Sequence, residues 1–120
     1  MSNPIRILHV EDDETFIELV GIMLSDKIFK VDTAKTGVEA VDLALKGTHD
    51  IILMDIQMPI MDGREATKII KKTLEDIPII AVTAYDVDIK GKDSFFNDLL
   101  RKPFTKKKLH EKIMEHYLKS

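Results

Sequence analysis

Glu11-Asp12-Asp13 closes one short apolar run of this sequence, and Asp55 closes another, Ile51 to Met54. An unpaired carboxylate at the end of a buried strand is costly. Three or more of them in one pocket raise one another's pKa unless a cation neutralises them. A hard divalent ion suits such a cluster, because magnesium takes oxygen ligands, keeps several waters and uses one or two carboxylates plus a phosphate. Asp12 and Asp55 fit that pattern, with Glu11 acting directly or through water. Thr83, after the run Ile79 to Val82, adds a neutral hydroxyl donor, and Lys102, after Leu99-Leu100, adds a movable positive charge. Such a set stabilises the equatorial oxygens of a phosphoryl group in transfer, and Asp55 is its best-placed nucleophile.

For these residues to meet, the apolar runs must be neighbouring strands. Ile5 to Val10, Phe29 to Ala34, Ile51 to Met54 and Ile79 to Val82 read as strands buried on both faces, with Leu99-Leu100 as a shorter fifth. Helical spacing lies between them: Phe16, Leu19, Val20, Met23 and Leu24, then Val38, Val41, Ala44 and Leu45. A third helix covers roughly Gly63 to Leu74, and a last one runs from about Thr105 through Leu109, Ile113 and Leu118. Between Asp86 and Asp98 the rhythm breaks at Gly91 and scattered charges, so a fourth helix there should be short or irregular, making about five in all. Strands alternating with helices imply a doubly wound α/β fold with a five-stranded parallel sheet, flavodoxin-like, in the order 2-1-3-4-5. Ligands of such sheets bind beyond the carboxyl ends of the strands where the order reverses, here between strands one and three. Four polar strand ends converge on that place.

The totals exclude several alternatives. The 120 residues fit one domain spanning 1–120, and a formal net charge of −3 provides no basic field for a nucleic-acid backbone. Zero cysteines remove disulfides, thiolate metal sites and cysteine nucleophiles. No signal segment or membrane-spanning apolar run is visible, so the chain reads as soluble and cytoplasmic, with no membrane partner. Plainer readings were weighed against the site. Acids at a helix start can simply cap it, which is the role expected of Asp13 and Glu14. Threonine suits any strand, and a lone lysine is usually surface, so Thr83 and Lys102 gain weight only from their company. Met54, Met58 and Met61 read as packing, Lys106 to Lys108 as a solvated helix face, and the four histidines carry no metal spacing.

ILHVEDDE, IILMDIQMPIMDG, AVTA and RKPF occur in this order and resemble the signature blocks of the two-component receiver domain, across essentially the whole chain. The resemblance implies that Asp55 accepts a phosphoryl group from a phosphohistidine of a histidine kinase or phosphotransfer protein, and later loses it by hydrolysis. Glu11 and Asp12 would hold magnesium with Asp55, manganese being able to substitute, and Gln57 would offer its main-chain carbonyl. Thr83 and Lys102 would contact the phosphoryl oxygens, with the Lys102-Pro103 peptide cis. The chain would then be a switch that signals to a downstream protein, as a monomer or a phosphorylation-dependent dimer, and not an enzyme beyond its own phosphorylation and dephosphorylation.

Two departures bear on output. Leu99 stands three before Lys102, where many receivers carry an aromatic switch residue, and the segment from Thr83 to Lys102 is a few residues shorter than usual. The expectation is that signalling runs through reordering of the Tyr85 to Asp98 segment, with Tyr85 shielding the acyl phosphate from water. Three rivals were weighed. A receiver within a hybrid kinase shares the same blocks. A flavin-binding flavodoxin would need amide and hydroxyl donors where this chain has three acids, and a small aspartate phosphatase would need DxDxT where it has DDET.

Overall fold

A computed structural model describes residues 3–58, 61–85 and 95–119. Strands β1 (Ile5–Val10), β2 (Phe29–Ala34), β3 (Ile51–Asp55), β4 (Ile79–Thr83) and β5 (Asp98–Arg101) form one sheet in the order β2-β1-β3-β4-β5. Every neighbouring pair is parallel. Helices α1 (Glu14–Met23), α2 (Gly37–Ala44), α3 (Gly63–Thr73) and α4 (Lys106–Lys119) complete the described elements. The additional short helix expected between Asp86 and Asp98 falls mostly on 86–94, outside the described residues, and Phe95 to Asn97 are not helical.

Alternation along the strands builds two apolar layers. Ile5, Ile7, Ile51, Leu53, Ile80 and Val82 face Val20 and Leu24 of α1 and Leu109 and Ile113 of α4. Leu8, Val10, Ile52, Met54 and Ile79 face Ala40 and Ala44 of α2 and Ala66 and Ile70 of α3. All five residues of β3 and all five of β4 are buried, as central strands of a sheet covered on both sides must be. β5 lies at the sheet edge and is only partly covered, which is why two leucines were its whole apolar signal.

The helix ends are set by local chemistry. Asp13, Thr36 and Asp62 are the N-caps of α1, α2 and α3, their side chains accepting from the amides of Thr15, Glu39 and Glu65. Thr105 does the same before α4, its hydroxyl accepting from Lys108 N at 3.1 Å. Past the end of α2, Gly47 takes a φ of 72°, a left-handed turn that suits glycine. At the end of α3, the Lys71 ammonium reaches the carbonyls of Glu75 and Ile77 and the Asn97 side chain. Asn97 in turn accepts from Ile79 N at 2.9 Å. This joins the close of α3 to the start of β4.

Candidate functional site

Register brings the predicted residues to one rim. Val10 pairs with Met54, so Glu11 and Asp55 come one step later on adjacent strands. Asp55 pairs with Val82, and Thr83 with Arg101, which puts Thr83 one step and Lys102 two steps further along on the next two. Four chain segments therefore deliver their polar residues within two residue steps of one another.

Asp55 is 5% exposed and Glu11 1%. The Asp55 carboxylate accepts the Gln57 main-chain N–H at 3.0 Å and lies 3.9 Å from the Lys102 ammonium. Glu11 accepts from Lys102 Nζ at 2.8 Å and from the Asp13 amide at 3.2 Å. Burial pushes the Glu11 carboxyl up, the Lys102 hydrogen bond pulls it back, and the Asp55 charge raises it again, leaving its pKa at about 7. Two buried carboxyl groups thus share one ammonium. Asp12 is exposed at the rim, and ligand oxygens of Glu11, Asp12 and Asp55 all lie within 4.8 Å of one another.

Thr83 is buried, and its hydroxyl accepts the Tyr85 N–H at 3.1 Å while its carbonyl accepts Lys102 N at 2.8 Å. The Lys102-Pro103 peptide is cis. Tyr85 is 59% exposed, so in this conformation its ring screens little. Gln57 is exposed, with its amide rather than its side chain turned to Asp55. Leu99 is half-buried in β5. Most of the segment expected to reorder, 86–94, lies outside the described residues.

Two residues beside the site were not singled out from the sequence. Phe16 fits the apolar spacing of α1, yet Lys102 Nζ sits 4.2 Å from its ring centroid. His9 was given no role, yet it is buried next to Phe16, and burial together with the Lys102 charge lowers its pKa to about 4. It is neutral at ordinary pH.

The family model described as "Response regulator receiver domain" matches residues 7–114. The chain belongs to the response regulator receiver domain family. Among curated relatives, response regulator MprA of Mycobacterium sp. (strain KMS) is 37% identical over 109 residues, covering 88% of this chain and 47% of that protein. The receiver domain thus spans about half the length of this relative. A solved receiver domain of a sensor histidine kinase from Pseudomonas aeruginosa, with magnesium in its active-site cleft, is 30% identical at a TM-score of 0.84. The match covers 95% of this chain and 98% of that one. Response regulator TrrA of Thermotoga maritima, solved with Mg(2+)-BeF, is 32% identical at a TM-score of 0.85, covering 92% and 97%. Among the described residues of this receiver domain, no helix is long and apolar enough to cross a membrane.

A second cluster in the receiver domain, Asp98, Glu115 and His116, also brings ligand atoms within 4.8 Å of one another. It differs from the rim because its cation engages both oxygens of one carboxylate: Lys112 Nζ lies 2.9 Å from both Asp98 oxygens, with His116 Nε2 2.8 Å from one of them. Burial pushes the Asp98 carboxyl up, but the His116, Lys112 and Leu99 amide hydrogen bonds outweigh it and leave it below its ordinary value. A carboxyl depressed on folding adds stability that is complete above its unfolded pKa of about 3.9 and vanishes as pH falls through the lower folded value. Asp98→Asn should therefore lower the thermal midpoint by a constant amount above about pH 5, and the gap should close in the acid range below about pH 4. A gap that does not change across that range would show that the charge of Asp98 contributes nothing.

Proposed function

We propose that this receiver domain is the phospho-accepting switch of a two-component phosphorelay, with Asp55 as acceptor. The observation that carries this reading is the setting of Asp55: buried at the end of β3, with Glu11 and Asp12 within ligand distance and the Lys102 ammonium 3.9 Å away. An Asp55 oxygen attacks the phosphorus of a partner's phosphohistidine in line, the P–N bond breaks and the imidazole leaves. The acyl phosphate is later hydrolysed. Thr83 and Lys102 bind the phosphoryl oxygens as donor and cation, and the Gln57 amide orients the attacking carboxylate.

The residues at the rim fit a magnesium ion. Glu11, Asp12 and Asp55 form an all-oxygen donor set within 4.8 Å of one another, and burial first, with the Asp55 charge adding to it, raises the Glu11 pKa. With the Gln57 carbonyl they would hold the ion, which supplies positive charge to the oxygens of the transferring group; manganese would suit the same donors. The receiver structures solved with magnesium support the reading. The phosphodonor would be a histidine kinase or phosphotransfer protein in the cytoplasm, and the output a downstream protein.

Intact mass provides the test. With acetyl phosphate and magnesium the protein should gain one phosphoryl group, and chelation of the metal should abolish the gain. Equal labelling in excess chelator would remove the metal from the reaction.

A further inference from the structure

We propose that Phe16 is a positioning residue for Lys102, its ring face sharing with the Glu11 carboxylate the task of holding the ammonium over the site. The proposal rests on the reading that Lys102 engages the phosphoryl group. Lysine carries a compact charge on a flexible four-carbon stem, so its placement has to come from its surroundings. Glu11 provides one anchor at 2.8 Å. Glu11 is also one of the oxygen donors for the divalent ion, so an ammonium held by it alone would compete with that ion for the carboxylate. An aromatic face attracts a cation through its quadrupole and uses no oxygen ligand. Lys102 Nζ, 4.2 Å from the Phe16 centroid, is within the range of that attraction.

The ring is itself held in place. Phe104 packs edge-to-face against it with centroids 5.4 Å apart at 86°, and His9 approaches it at 6.0 Å and 61°. Phe104 lies two residues past Lys102, so the loop that delivers the ammonium also fixes the ring beneath it. Phe16 also packs against the apolar layer between the sheet, α1 and α4. Leucine or methionine would satisfy that packing, but neither offers a face to a charge. The two roles therefore separate by substitution.

Initial rates of labelling by acetyl phosphate with magnesium, followed by intact mass, should fall about three- to tenfold in Phe16→Leu and Phe16→Met, the size of one cation–π contact. Phe16→Tyr keeps the face and should restore the rate. In a Lys102→Ala background, Phe16→Leu should have no further effect. Independently of any phosphoryl chemistry, the Lys102 ε-methylene protons should resonate upfield of those of other lysines through the ring current, and Phe16→Leu should abolish the shift. Leucine and methionine variants that label as fast as wild type would overturn the proposal. So would a tyrosine variant as slow as the leucine one, or an equal loss in the Lys102→Ala background. If Lys102→Ala labels at the wild-type rate while the upfield shift is present, the role of Lys102 in the reaction fails and the proposal with it, although the contact stands.

Discussion

Asp55→Asn should take the protein from one phosphoryl group per chain to none, under conditions of acetyl phosphate and magnesium expected to label the wild type fully. The amide that replaces the carboxylate is a poor nucleophile, and no other residue at the rim has the same setting. Asp12 is exposed, and Glu11 is already engaged by Lys102 and the Asp13 amide. Loss of labelling will not come from unfolding. The charge of Asp55 is one of the causes that raise the Glu11 pKa, so removing it relieves repulsion within the pocket. The variant should unfold at the same temperature as wild type or higher when no divalent ion is added. Magnesium should then raise its midpoint less than it raises that of wild type, because stabilisation by a ligand follows its affinity for the folded state. A mass gain retained in the variant would move the acceptor elsewhere and end the assignment.

Among the described glycines, Gly63→Ala should be the most damaging substitution. A Cβ at residue 63 would stand 2.2 Å from the Asp55 carbonyl oxygen, 2.7 Å from Ile56 Cα and 2.9 Å from the Asp55 carbonyl carbon. All three are main-chain atoms of the strand end that carries the acceptor, so no side-chain rotation relieves the clash. Either α3 withdraws from the sheet or β3 shifts, at a cost near the upper end of the ~1–3 kcal/mol seen for overpacking. Urea denaturation should show that loss, with labelling slowed in parallel as Asp55 moves. Gly21 is the control: it lies inside α1 with nothing within 4 Å of a Cβ, so alanine there should be neutral or stabilise by about 0.5–1 kcal/mol. Similar midpoints for the two alanine variants would mean that the start of α3 has slack.

The features that were readable from the sequence are those encoded by neighbouring residues. β1 and β2 run between the residues expected, because an apolar strand bounded by acids or turn formers marks its own ends. β3 and β4 extend one residue past their apolar runs, to Asp55 and Thr83, since pairing with the neighbouring strand and not hydrophobicity decides where a strand stops. The expected rim residues are the ones the register gathers. Interactions between distant segments left no local trace. His49 is sealed against Asp32, His110 bonds the Met23 carbonyl and His116 meets Asp98, across 17, 87 and 18 residues of chain. Each histidine looked idle because its partner lies on another element. The ring of Phe16 under Lys102 went unseen for the same reason: spacing reveals that a residue faces inward, and only the packed fold reveals what it meets there.

The bond between Lys102 and Glu11 joins groups 91 positions apart, the second just past an inner strand and the first just past the edge strand. During synthesis, Asp55 and both N-terminal acids emerge long before the lysine does. A nascent or truncated polypeptide ending short of β5 would lack the ammonium bonded to Glu11 and also Leu100, Leu109 and Ile113 of the apolar layer, so the rim and the core beneath it are completed together by the last strand and helix.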